Sequence, residues 1–353
     1  MVNVPPAKIP KLQIRVAKYL PVLLIVGLAV HLLLPQITAL QHSLSVIRTM
    51  ARWAVGLAIV AQVVSYLGNG YMLQALVGVT EEHITLLKGT TISVAAASIG
   101  LVAGGMVGSA AATYRWMRGN GIGKQGALLA GWLPSFLNNL LLWVAGLAGM
   151  IHLLLVHDLT AVQIIGFSFT AALLTVATVI VVWGVEHRPQ LVSLAEQLSH
   201  LSAKLRRKPY DPNPSQGAAE RLFNAWDALV TTGGWRKPLL GAAINVAGDM
   251  LTLYFFFLAA GHPVSPGVLL SGYGLPLLLG KAAFFLPGGV GIIEGTMTAL
   301  YTGLGVPSGV VVVVILAYRV VSFWLPTVMG YPLAARLQRL ILHHIEDEPL
   351  VAD

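Results

Sequence analysis

Phe284-Phe285-Leu286-Pro287-Gly288-Gly289-Val290-Gly291-Ile292-Ile293-Glu294-Gly295 interrupts an apolar run that extends from about Pro266 to Leu304. Pro287 removes a backbone donor, and Gly288-Gly289 tolerate dihedral angles that other residues avoid. A carboxylate, Glu294, follows five residues after the second of these glycines. In hydrocarbon, non-helical backbone is tolerated only where protein or a water-filled cavity covers it. The stretch therefore predicts a broken helix or re-entrant hairpin facing a polar site; the alternative is an ordinary turn between two membrane helices.

Composition sets the class. Of 353 residues, 56% are hydrophobic and 10% charged, mean hydropathy is +0.77, and several apolar runs approach the roughly 20 residues that span a bilayer. This is an all-α integral membrane protein. There are no cysteines, which excludes disulfides, thiol catalysis and Cys-ligated metal. The first apolar run has no small-residue cleavage site after it and is expected to be retained.

Basic residues orient the chain. Lys8, Lys11, Arg15 and Lys18 precede the run Tyr19 to about Leu34 and hold the N-terminal tail, 1–18, in the cytoplasm by the positive-inside rule. Trp53–Val77 returns. Lys88 to Met117, interrupted at Gly104-Gly105 and Gly108, is a hairpin, either two full crossings or a re-entrant dip, because Arg115 at its end and Arg118 and Lys124 just beyond want the cytoplasmic side on which it began. Ala127–Leu155 goes out and Val162–Trp183 comes back, closing a first membrane half, 19–185.

The polar stretch 186–237 carries the apolar stripe Leu191, Leu194, Ala195, Leu198, Leu201 and Leu205, then Lys204, Arg206, Arg207 and Lys208. It reads as a cytoplasmic amphipathic linker on anionic inner-leaflet lipids, or equally as a solvated linker packed on the protein's own loops. A second half, 238–335, repeats the design: Leu239–Ala260 goes out, Pro266–Leu304 forms the second hairpin, and Val310–Tyr331 returns to a cytoplasmic tail, 336–353. Of the 22 Lys and Arg, Arg48 and Arg52 then lie outside, Lys281 and Arg319 lie within the membrane, and all others are cytoplasmic. The net charge of +8 is thus a topology signal, and no nucleic-acid partner is implied.

Sliding the chain by 184 residues brings Gly104-Gly105 onto Gly288-Gly289 and Gly121-Ile122 onto Gly305-Val306. The first unit starts outside and the second inside, so the expectation is an inverted repeat of about six full transmembrane helices and two re-entrant hairpins.

Leu286-Pro287-Gly288-Gly289-Val290-Gly291-Ile292-Ile293-Glu294, then Gly305-Val306-Pro307, then Leu316-Ala317-Tyr318-Arg319-Val320-Val321-Ser322-Phe323-Trp324-Leu325-Pro326-Thr327-Val328-Met329-Gly330 resemble the second half of the lysylphosphatidylglycerol synthase transmembrane region, a flippase-like domain. The resemblance extends over about Arg15 to Arg339, with its specific motif within about Phe284–Gly330. It implies a lipid translocase fold with paired re-entrant helices. The soluble aminoacyl-transferase domain of the bifunctional members has no counterpart in this sequence, so lipid aminoacylation is not expected. In the first half, Ala103 stands where relatives commonly have proline, and Ser135 and Asn138 where they have a paired Arg and Asp.

Charge inside a membrane is costly and usually faces a cavity or a partner. The sequence therefore nominates Asp249, Lys281, Glu294 and Arg319, with Glu294–Arg319 and Asp249–Lys281 as candidate pairs. Arg319 and Lys281 would bind a lipid phosphate while Glu294 gates, carries a proton or meets a cationic head group; or the pairs simply neutralise buried charge. Backbone amides at Pro287, Gly288, Gly289 and Gly291, with Gly104 and Gly105 at the first hairpin, are candidate contacts to substrate. Asn138 and Asn139 are candidate cavity-lining residues or equally ties between helices, and Arg115, Arg118 and Lys124 are candidate rims of the cytoplasmic mouth or topology signals alone.

Gly121-Ile122-Gly123-Lys124-Gln125-Gly126 matches a dinucleotide fingerprint in letters only, since no strand precedes it. No ATP loop, hydrolase motif or metal spacing appears, and no cofactor is expected. The reading is a lipid flippase-like transporter in a bacterial inner membrane, moving a polar head group between the two repeats. A membrane lipid-modifying transferase and a non-transporting scaffold for a lipid-synthesis partner are the alternatives, and a homo-oligomer is compatible with the sequence.

Overall fold

The structure is a computed structural model that describes residues 46–103, 105–156, 234–282 and 287–347, with isolated positions between 165 and 227. The expected spans Tyr19–Leu34 and Val162–Trp183, the linker 186–237, both chain ends and Gly104 fall wholly or largely outside the described residues.

Among the described residues the regular elements are all helical. They are α1 (Arg52–Gly78), α2 (Leu86–Val102), α3 (Met106–Arg118), α4 (Lys124–Val156), α5 (Arg236–Ala259), α6 (Pro266–Ala282), a 3₁₀ turn (Pro287–Gly289), α7 (Ile292–Gly303), α8 (Ser308–Arg319), a π-helical segment (Val320–Trp324) and α9 (Leu325–Asp347). Among the described residues, four stretches are long and apolar enough to cross a bilayer: α1, α4, α5 and the composite Ser308–Arg339. They coincide with four of the six expected crossings. Even the shortest, α5 with 24 residues, reaches about 36 Å at 1.5 Å per residue, against a hydrocarbon core of about 30 Å. Large apolar side chains such as Val60, Leu155 and Val328 stand exposed on these helices, as a lipid-facing surface requires. This is a multi-pass membrane protein.

The remaining helices pair as two hairpins with short arms, 17 and 13 residues in α2 and α3 and 17 and 12 in α6 and α7. Within the described residues, every arm is shorter than the roughly 20 residues a full crossing needs. Moved by 184 residues, the bounds of α1 become 236–262, where α5 lies, and those of α4 become 308–340, where the composite fourth stretch lies.

The halves interlock. α1 packs along α5, α4 along α6, and α9 along α2, so each half lends a long helix to the other's hairpin. Missing side chains permit this approach, as small residues do in membrane helix interfaces. A Cβ on Gly241 of α5 would sit 2.7 Å from the Met72 backbone in α1, and one on Gly68 would sit 2.6 Å from Asn245 N. Where α4 meets α6, a Cβ on Gly274 would lie 2.6 Å from Gly146 N.

Both hairpins turn through glycine. Gly105 has φ of 66°, and the second turn strings together Gly288 (65°), Gly289 (63°) and Gly291 (87°), a left-handed run that L side chains resist. The Pro-Gly-Gly break is thus a real interruption of the helix. Its tip presses on both neighbours: a Cβ on Gly288 would meet the Phe323 ring at 2.3 Å and Leu101, at the end of α2, at 3.0 Å.

Candidate functional site

Glu294 occupies the first turn of α7 and Arg319 the last residue of α8. Arg319 Nε donates to Glu294 Oε1 at 2.5 Å, and Nη2 donates to the Gly288 carbonyl at 3.2 Å. The guanidinium stands 4.2 Å from the Phe323 ring centroid, close enough for a cation–π contact. Glu294 Oε2 accepts the Gly291 N–H at 2.7 Å. The carboxylate therefore caps α7, where the helix dipole favours negative charge, while Arg319 fastens the 3₁₀ turn to α8. Glu294 is 1% and Arg319 4% exposed, so both charges are spent on each other and on the hairpin tip. The expected Glu294–Arg319 pair forms.

The expected Asp249–Lys281 pair does not form. Tyr273 and Tyr318 both donate hydroxyls to Asp249 Oδ2, at 2.8 and 2.7 Å, while Lys281 Nζ donates to Asn139 Oδ1 at 2.6 Å. The geometry explains the change: Lys281 lies at the end of α6, where α4 packs and offers Asn139, whereas Tyr273, two turns earlier on α6, is the residue that reaches Asp249.

Asp249 instead borders a cavity of about 230 Å³, lined by Gln62, Ser65, Tyr66 and Asn69 from α1, Ser93, Val94 and Ala97 from α2, Asn245 and Asp249 from α5, and Ser322, Phe323, Pro326 and Thr327 from the π segment and α9. The α1, α5, π-segment and α9 residues fall in the middle thirds of their spans. The cavity thus lies between the halves at mid-depth. Pro326 explains one wall. It has no N–H, and its ring crowds the carbonyl four residues earlier, that of Ser322; the helix widens to π geometry, and Tyr66 donates its hydroxyl to the Val321 and Ser322 carbonyls at 2.8 and 3.2 Å. Gln62 is 2% exposed, and its Oε1 has no hydrogen-bond partner among the described residues.

Other nominated residues lie elsewhere. Pro287, Gly288, Gly289, Gly291 and Gly105 form hairpin turns but do not line the cavity, contrary to the expectation of a cavity walled by the hairpin tips; Phe323 stands between the second tip and the cavity. Asn138 donates to Asn69 Oδ1 at 3.3 Å, touching the wall from behind. Arg115, Arg118 and Lys124 are exposed around the turn between α3 and α4, where Arg118 Nη1 donates to the Ile122 carbonyl at 2.7 Å. Gln62, Tyr66, Asn69 and Asn245 escaped notice as uncharged side chains; their spacing along α1, Gln62-Ser65-Tyr66-Asn69, is a polar stripe on an apolar helix that helical periodicity could have flagged.

Two hydroxyls on one carboxylate make a measurable contribution. Tyr273→Phe and Tyr318→Phe should each lower stability by about 1.5–3 kcal/mol, the range for hydrogen bonds to charged groups, read from the denaturation midpoint in detergent. Tyr301→Phe, whose hydroxyl reaches only the Leu269 carbonyl at 3.5 Å, should cost less than about 1 kcal/mol.

Residues 19–330 match the family model described as the lysylphosphatidylglycerol synthase TM region. Similar proteins include an archaeal UPF0104 membrane protein of Methanocaldococcus jannaschii, 24% identical over 156 residues, which are 44% of this chain and 46% of that protein. Another, from Pyrococcus horikoshii, is 30% identical over 113 residues, 30% of this chain and 31% of the relative. The matched stretches thus cover less than half of each of these relatives. The polytopic helical fold and a family match over most of its length agree: this chain belongs to the lysylphosphatidylglycerol synthase transmembrane-region family.

Proposed function

We propose that this protein moves the polar head group of a membrane lipid across the bilayer, through the cavity between its two halves, while the tails remain in lipid. One observation carries the reading: polar side chains contributed by both halves gather around a cavity at the mid-depth of helices that are otherwise apolar. Polar groups at that depth are expensive, and binding sites of transporters built from repeats lie there. The 184-residue offset supports treating the halves as inverted repeats, with one hairpin entering from each face and both termini cytoplasmic. The Glu294–Arg319 pair then acts as the fastener of the second hairpin, and the exposed cations Arg115, Arg118 and Lys124 collect anionic head groups at the cytoplasmic mouth. The family, named for the membrane region of a lipid synthase, is compatible with a lipid substrate.

Purified protein in liposomes tests this with a panel of labelled phospholipids and polyprenyl-phosphate lipids. Ala97 is exposed at the cavity's edge, so Ala97→Trp fills the path without disturbing the core. The expected result is translocation of at least one lipid by the wild type and loss of about 90% or more of it in Ala97→Trp, with an unchanged elution profile; tenfold corresponds to about 1.4 kcal/mol. Wild-type rates in Ala97→Trp, or no movement of any lipid, would overturn the reading.

A further inference from the structure

We infer that the mid-depth cavity is a binding site for an alkali cation, sodium in first place, with Asp249 as its charged ligand and Gln62 as a neutral one. The wall itself points to a cation. Among the described residues it holds the side-chain oxygens of Gln62, Ser65, Tyr66, Asn69, Ser93, Asn245, Asp249, Ser322 and Thr327 and no lysine, arginine or histidine. Such a wall repels a bare phosphate and suits a positive charge.

Asp249 has no cationic contact among the described residues. Arg319 is near enough to act on it electrostatically, and Lys281 likewise, but their hydrogen bonds go to Glu294 and Gly288 and to Asn139. Both tyrosine hydroxyls converge on Oδ2, so neither occupies Oδ1. Gln62, beside Asp249 and Tyr66, carries a buried acceptor with no donor, and a buried polar atom left unpaired costs free energy that a cation would recover.

The chemistry selects the kind of ion. No group of three His, Cys, Asp or Glu is found among the described residues, so the nitrogen and sulfur donors that favour transition metals are missing at this site. A single carboxylate balances one positive charge, whereas calcium sites gather six to eight oxygens with several carboxylates. The π-helical segment beside the cavity has carbonyls at Val321 and Ser322 that accept from Tyr66 and each keep a second lone pair, and carbonyls outside regular α-helix are a recurring source of sodium ligands in transporters. The volume, about 230 Å³, accommodates an ion with several waters at about 30 Å³ each. A cation held at Asp249 would also offset the wall's carboxylate charge, leaving its hydroxyl and amide donors free to meet a lipid phosphate; that role rests on the translocation reading, while the ion site rests on the cavity alone.

The test is equilibrium binding without any transport. Purified protein in detergent is titrated with NaCl against KCl, choline chloride and ethanolammonium chloride at constant ionic strength, following the thermal midpoint and bound radioactive sodium. Sodium should raise the midpoint saturably and bind once per chain, and choline should do neither. Asp249→Asn and Gln62→Leu should each weaken sodium at least about tenfold. Should Asp249→Asn fail to fold, Gln62→Leu and the wild-type titration decide. Identical behaviour in sodium and choline would overturn the site, as would a stronger response to ethanolammonium, which would make the cavity an amine site. A positive sodium result with no lipid movement in liposomes would leave the ion site standing and remove the translocation reading.

Discussion

Arg319→Met should lower the stability of the folded protein by about 3–5 kcal/mol, the cost of stranding one member of a buried ion pair. The magnitude follows from what Glu294 loses. With 1% exposure it cannot recruit water, and its remaining donor is the Gly291 N–H. The Gly288 carbonyl loses its guanidinium donor in the same step, and the left-handed turn at Gly288-Gly289 is freed from α8. The double variant Arg319→Met with Glu294→Gln should recover most of the loss, because a neutral amide keeps the oxygen that caps α7 while removing the buried charge. Denaturant titration in detergent of the two single variants and the double variant measures this directly. A single Arg319→Met within about 1 kcal/mol of wild type would mean that the pair contributes no more than a surface bridge.

Gly241→Leu should be comparably severe, at about 3 kcal/mol or more. A Cβ at this position would lie 2.7 Å from both Met72 Cα and Met72 N. Those are main-chain atoms, so no rotamer change relieves the contact and α1 must move away from α5. That crossing also sets the separation of Gln62 and Ser65 from Asn245 and Asp249, so Gly241→Leu should remove cavity binding together with stability. Gly56 lies on the same pair of helices but has nothing within 4 Å of its would-be Cβ; Gly56→Ala should be neutral or stabilising by up to about 1 kcal/mol, since alanine outranks glycine in helices. Measuring both by the same denaturant titration separates a packing effect from a general intolerance of substitution.

Much of this molecule could be read in one dimension. Apolar run lengths and the distribution of Lys and Arg identify a multi-pass membrane protein and locate α1, α4, α5 and the Ser308–Arg339 stretch, because a bilayer imposes one length and one polarity on any helix that crosses it. Pro287-Gly288-Gly289 marks the helix break for an equally local reason, since proline lacks a donor and the glycines accept positive φ. The Glu294–Arg319 pair was legible too, as two charges on adjacent helices beside that break have few alternatives in hydrocarbon. The cavity was not. Gln62, Asp249, Tyr273 and Tyr318 come from four helices scattered along the chain, and helical periodicity states which face of a helix each occupies without stating which faces meet. That choice was made by the close approach of α1 to α5 at Gly68 and Gly241, by α4 reaching across to engage Lys281 through Asn139, and by Pro326, which widens the helix and bends Phe323 and Ser322 toward the interior. Residue type and spacing thus determined the class, the spans and the break, whereas only tertiary packing decided that Asp249 faces two tyrosines and a polar cavity instead of a lysine, because a hydrogen bond selects the partner within about 3 Å and sequence distance carries no such length.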